Sequence, residues 1–160
     1  MPSVLFVVTA AEEWTLADGT KRPTGYWAEE LIAPHRAFQG AGWDIHFATP
    51  GAKAPVVDEY SLEVLPDNVR MAQENYLAEL GVALEHPMNL ADVNEEDYDL
   101  IFYPGGHGPM EDELVARGLD YDKGLLPFPS HVVVDGNLYT GQNPQSSKKL
   151  AKTLVDALAD

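Results

Sequence analysis

The sequence predicts an α/β domain: a three-layer α/β/α sandwich around a mostly parallel sheet, truncated in its second half. Three observations carry that expectation. Val4-Leu5-Phe6-Val7-Val8 is a continuous apolar run rich in β-branched residues, the composition of a strand covered on both faces of a parallel sheet. A helical stripe and a second strand follow, which is the β-α-β order that parallel pairing requires. A third strand, Leu100-Ile101-Phe102-Tyr103, runs into Pro104-Gly105-Gly106-His107-Gly108. A glycine-rich turn past the C-terminal end of such a strand is where open α/β sheets place ligands.

Taken in order, Thr9 to Thr24 reads as loop. Helical spacing begins near Tyr26 and runs through Trp27, Leu31, Ile32 and Phe38 until Gly40 and Gly42 stop it. Asp44 to Thr49 alternates polar and apolar as a strand does, and Pro50-Gly51 ends it. Pro66-Asp67-Asn68 starts a second helix carrying Val69, Ala72, Tyr76, Leu77 and Leu80, stopped at Gly81. Leu90-Ala91-Asp92 reads as a short extended piece, and Asn94 as the cap of an acidic turn, Glu95-Glu96-Asp97. Asp112 to Arg117 allows about two helical turns, and Leu119 to Ser130 reads as irregular chain. His131 to Val134 and Leu138 to Thr140 flank Asp135-Gly136-Asn137 as a hairpin. Pro144 to Leu158 closes the chain as an amphipathic helix with Leu150, Leu154 and Leu158 on one stripe.

The 160 residues suffice for one domain, 1–160, and 45% hydrophobic with 22% charged residues is ordinary globular usage, which excludes disordered and fibrous classes. Charge is the unusual property: 10 Lys and Arg stand against 26 Asp and Glu, for a net charge of -16. Such a surface repels phosphate backbones and anionic lipid, so neither nucleic acid nor membrane is expected as a partner. No apolar run approaches the roughly 20 residues of a membrane span. The N-terminus lacks the pattern of a secretory signal, and a cytoplasmic location is expected. There is no cysteine, hence no disulfide, thiolate ligand or thiol nucleophile. The five histidines show neither His-x-x-x-His nor His-x-His spacing, so no metal or other cofactor is expected.

Thr24-Gly25-Tyr26-Trp27-Ala28-Glu29-Glu30-Leu31, then Tyr103-Pro104-Gly105-Gly106-His107-Gly108-Pro109-Met110-Glu111-Asp112, then Asp135-Gly136-Asn137-Leu138-Tyr139-Thr140-Gly141-Gln142-Asn143-Pro144 resemble the Hsp31-like branch of the DJ-1/PfpI superfamily, in family order. The resemblance implies a flavodoxin-like sandwich and a glyoxalase III or deglycase type of chemistry, in which a thiolate adds to an oxoaldehyde. It also implies an internal deletion with its junction near 111–114, because the segment carrying the family's nucleophilic cysteine, the histidine next to it and a central strand is missing between the second and third motifs. By the same resemblance, Glu30 matches the glutamate that hydrogen-bonds the thiol. Gly106 and His107 match the turn whose backbone N–H groups face the reacting oxygen, with Gly105 and Gly108 completing it.

Each residue also has a plainer reading. Glu30 reads either as a general base or as a carboxylate retained in half a site. Gly105 to Gly108 reads either as a ligand-binding turn or as a tight turn that needs positive φ. Ser130, His131 and Asp135 offer the residue types of a hydrolase triad, but crowd one strand and lack a nucleophile elbow. Glu95 to Asp97 and Glu111 to Glu113 read as solvated surface.

Three functional expectations follow. The first is a homologue without the thiol mechanism that binds small carbonyl compounds or unfolded protein clients in a chaperone-like role. The second is a thiol-independent enzyme acting on a small α-oxoaldehyde or ester, with Glu30 as base and the Gly106/His107 turn as oxyanion site. The third is a relic or engineered fragment without activity. A strand left beside a deletion keeps unpaired edge groups, so a homodimer is expected, with domain swapping left open.

Overall fold

A computed structural model describes residues 1–16, 18–106, 132–135, 138–141 and 143–158. Its centre is β1 (Ser3–Val7), flanked in parallel by β4 (Asp44–Thr49) and β6 (Leu100–Phe102), with the short β5 (Met88–Asn89) outside β4. Strand order is β5-β4-β1-β6, and Phe6 stands level with Phe47 on one side and Phe102 on the other. The continuous apolar run thus became an interior strand of a parallel sheet, and the architecture is α/β, of flavodoxin-like class.

Period-two alternation divides β1 between two cores. Val4, Phe6 and Val8 enter the main cluster with Leu31, Phe38, Leu150 and Leu154, whereas Leu5 and Val7 meet Leu90, Val93, Tyr98 and Ile101 on the opposite face. The Phe6 ring lies 5.9 Å from Phe38, 5.4 Å from Phe47 and 5.0 Å from Phe102, separations at which aromatic pairs attract beyond their area burial. Two helices cover that face, α1 (Ala28–Gly40) and α5 (Ser147–Ala157), packed on each other.

Several expectations need correction. The segment read as loop contains an antiparallel pair, β2 (Glu13–Thr15) with β3 (Lys21–Pro23). Its strands carry no apolar alternation because they are largely exposed. The available signal was Asp18-Gly19, a hairpin dipeptide in which Gly19 takes φ 85. Leu90–Asp92 is a 3₁₀ turn, and the extended residues are those just before it. Two short helices were not anticipated, α2 (Tyr60–Glu63) and α4 (Gly81–Glu85); between them runs α3 (Asp67–Glu79), the helix read from Pro66 onward. α3 stops just before Gly81 as read, and Gly81 opens the separate α4.

The Asn94 cap is present, with its side chain accepting from the Glu96 N–H. The two C-terminal strands pair, β7 (Val132–Asp135) against β8 (Leu138–Gly141), as a separate two-stranded sheet in which Asp135, read as a turn residue, is paired with Leu138; Gly136 and Asn137 lie outside the described residues. Among the described residues β6 therefore has one strand neighbour, β1, and Val132–Val134 do not pair with it. The turns read at 107–131, including the junction near 111–114 and the helix at Asp112 to Arg117, lie outside the described residues. No described helix is long and apolar enough to cross a membrane.

Candidate functional site

Three segments meet beyond the C-terminal end of β6. Residues 24–27 run between 56–58 and 105–106, with Tyr26 bridging parallel to Val57 and antiparallel to Gly106. The Tyr26 N–H donates to Val56 O (3.0 Å), the Asp58 N–H to Tyr26 O (2.9 Å), and the Trp27 N–H to Gly105 O (2.9 Å). This approach demands glycine. A Cβ on Gly25 would collide with the Val56 carbonyl; one on Gly106, where φ is +136, would stand 2.6 Å from Gly25 O. Gly25 is thus required by the backbone of 56–58, and Gly106 by the backbone of 25–27.

The lattice aims α1 at the turn. Trp27 precedes the helix without a side-chain cap, and the Ala28 N–H donates instead to Ser61 Oγ (3.1 Å), whose hydroxyl donates to Asp58 O (2.6 Å). A residue 33 positions away thus satisfies a helix-start donor that a local cap ordinarily takes. With α1 so placed, the Glu30 carboxyl packs directly on Gly105, and a Cβ there would collide with its Oε2.

Two effects compete at Glu30. The first helical turn favours the anion by about 0.3–1 kcal/mol, while burial opposes it. Burial wins: the Glu30 carboxyl is pushed up from 4.5 to about 7. No described residue donates a hydrogen bond to it, and the side chain remains partly open to solvent. A carboxyl that is half protonated near neutrality can take or give a proton.

The structure therefore brings Glu30, Gly105 and Gly106 together, while His107 and Gly108 lie outside the described residues. Gly25, Trp27 and Ser61 were not singled out individually. The first two sit in a motif that was quoted, whereas Ser61 left no local signal. Among the described residues no three His, Asp or Glu side chains gather as metal ligands.

Residues 22–132 match a family model described as ThiJ/PfpI family-like. Glyoxalase 3 of Candida albicans is 31% identical over 134 residues, covering 78% of this chain and 55% of that protein. A glutathione-independent glyoxalase of Schizosaccharomyces pombe is 29% identical over 141 residues, covering 82% and 57%. The chain thus spans about half the length of the curated relatives it matches. Two solved structures share the fold: the 24 kDa rapid encystment protein of Francisella tularensis (TM-score 0.77, 21% identity, 99% of each chain) and glyoxalase III of Candida albicans (TM-score 0.76, 21% identity, 98% of this chain and 97% of that one).

Proposed function

The chain belongs to the ThiJ/PfpI-like family, in the Hsp31-like branch of the DJ-1/PfpI superfamily, and from that premise we propose that it binds small carbonyl compounds between Glu30 and the Gly105-Gly106 turn without the family's thiol step. The carrying observation is the Glu30 carboxyl, packed on Gly105 and raised to about 7, in a sequence with no cysteine. A protonated Glu30 donates a hydrogen bond to a bound carbonyl oxygen, and an ionised one accepts from the hydroxyls of its hydrate. By the family resemblance, backbone N–H groups of the turn would face the same oxygen. A client-holding role draws support from the exposed Val56, Tyr60 and Val64, on the segment that bridges to Tyr26 and runs through α2.

The raised Glu30 also favours a second reading, a thiol-independent isomerase. On the hydrate of a 2-oxoaldehyde, the Glu30 carboxylate would take the proton of the hydrated carbon, leaving an enolate that carries both hydrate hydroxyls on its terminal carbon; returning that proton to the neighbouring carbon, while one hydroxyl proton passes to the former ketone oxygen, yields a 2-hydroxy acid. The aldehyde carbon is oxidised as the ketone carbon is reduced, so no external oxidant enters.

One experiment separates the readings: methylglyoxal binding by tryptophan fluorescence, with Trp27 as reporter, beside lactate production, for the unaltered protein and Glu30→Gln. Saturable binding without lactate, weakened in the variant, is the expected result. Lactate that disappears in Glu30→Gln would replace binding by catalysis, and neither binding nor lactate would overturn both readings.

A further inference from the structure

Glu30 holds its place without hydrogen bonds of its own. Its carboxyl packs on Gly105 and no described residue donates to it, so its position follows from where the backbone of α1 begins. Two anchors set that beginning. The Trp27 N–H on Gly105 O (2.9 Å) ties it to the turn, and the Ala28 N–H on Ser61 Oγ (3.1 Å) ties it to α2.

The second anchor comes from an element that cannot stand alone. α2 has four residues, and isolated helices shorter than about 12–15 residues are marginal in water. Contacts with the start of α1 support it instead. The Tyr60 ring meets the Trp27 ring edge-on at 6.2 Å, and Leu62 joins Ala28 and Ile32 in one buried cluster. Ser61 lies between those two contacts in sequence and is 2% exposed. Its hydroxyl has one hydrogen, which the 2.6 Å bond to Asp58 O takes up, leaving an oxygen lone pair for the Ala28 N–H. The Asp58 N–H donates to Tyr26 O (2.9 Å), so the hydrogen bonds run from Tyr26 through Asp58 and Ser61 back to Ala28. Members of such a circuit polarise one another, and losing one leaves the fully buried Ala28 with an unpaired N–H.

We infer that Ser61 is a positioning residue of the Glu30 site: its hydroxyl, through the Ala28 N–H, fixes the first turn of α1 so that the Glu30 carboxyl stays packed on Gly105. Being buried, Ser61 acts through α1 and does not touch a ligand. Its effect on carbonyl binding rests on the reading proposed above, whereas its effect on Glu30 does not. Ser61→Ala frees the start of α1 to fray, and water then reaches a carboxyl that burial now holds at about 7.

The test reads Glu30 directly, by ¹³C NMR titration of glutamate side-chain carboxyls with the Glu30 signal assigned by its loss in Glu30→Gln, beside methylglyoxal affinity by tryptophan fluorescence. In Ser61→Ala the Glu30 midpoint is expected to fall by about 1 or more on the pH scale, from about 7 toward 4.5, and methylglyoxal to bind about tenfold more weakly. Ser61→Thr keeps the hydroxyl and should keep both values. Tyr76→Phe removes a hydrogen bond of similar worth between α1 and α3 and should move neither, which separates positioning from a general loss of stability. A midpoint in Ser61→Ala within about 0.3 of the unaltered protein, or an equal fall in Ser61→Thr or Tyr76→Phe, would overturn the proposal. The titration needs no ligand and so decides about Ser61 by itself; methylglyoxal that binds none of the proteins would sink the carbonyl reading alone. Should Ser61→Ala fail to fold, hydrogen exchange at the Ala28 amide of the unaltered protein decides: protection equal to that of the Ile32 amide is expected, and much faster exchange would overturn the proposal.

Discussion

α1 and α3 are both 13-residue helices and lie against one another, yet they are held by different forces. α1 buries Ala28, Leu31, Ile32, Pro34, His35 and Phe38; α3 buries only Gln73. On the sheet side α1 is held by packing, which is dense and nondirectional. α3 is moored by polar side chains: Gln73 on Glu29, Tyr76 Oη sharing a 2.7 Å hydrogen bond with His35 Nδ1, and the Arg36 guanidinium over the Tyr76 ring, with Leu77 and Leu80 only partly buried. Both helices show apolar residues at helical spacing, so the pattern announces a helix without stating how much of it the core will take. Val69, in the α3 stripe, remains 38% exposed.

The largest effect expected from this contrast is in the core. Phe38→Ala should cost about 3–5 kcal/mol of unfolding free energy, through lost transfer energy and the cavity left beside Phe6 and Trp43. Met71→Ala on the exposed face of α3 should stay within about 0.5 kcal/mol. Urea unfolding of both variants measures this, and comparable losses would break the comparison.

Next in size is a pH dependence written into α1. The Glu30 carboxyl is raised from 4.5 to about 7 by burial, so between those values the folded state binds the extra proton and stability falls as pH rises. The His35 imidazole is lowered from 6.5 to about 4 by burial, so there the unfolded state binds the extra proton and stability rises with pH. Each effect is at most on the order of 3 kcal/mol, and the partial exposure of Glu30 keeps its share below that. From pH 4.5 to 6.5 the two slopes oppose one another, and the profile of the unaltered protein should be nearly flat there. Glu30→Gln removes the falling limb. Thermal midpoints of that variant should climb from pH 4 to 6.5 and then level, and it should be the more stable protein above pH 7; a profile unchanged from the parent would contradict this account.

The smallest effect probes the mooring itself. Tyr76→Phe deletes the hydroxyl that joins His35 and Gln39 while keeping the ring beneath Arg36, and should cost about 1 kcal/mol. Amide hydrogen exchange should then speed up along α3 and hardly change along α1. Equal acceleration in both helices would mean that they open as one unit.

Much of the fold was legible because its signals are local. A five-residue apolar run with β-branched residues marked β1, alternation marked β4, and Asn94 marked its own turn. The β2–β3 pair escaped because exposed strands leave no apolar pattern, even though Asp18-Gly19 stood in plain view. Of the site, Glu30 and the Gly105-Gly106 turn were named from their motifs, but no spacing rule joins residues 30 and 105. Their contact exists because β1 pairs with β6 and because residues 24–27 bridge to Gly106, both long-range events.

By itself the sequence determined the main strands and helices that carry a local pattern, the acidic surface charge, and the absence of a thiol from any chemistry this chain performs, since these properties reside in residue type and in neighbours a few positions apart. Only the tertiary structure decided that Ser61 serves the start of α1, that Gly105 lies beneath the Glu30 carboxyl, and that burial outweighs the helix dipole there. Those outcomes depend on which distant groups are brought within hydrogen-bonding or van der Waals reach and on how much water they displace. Local patterning carries no record of either.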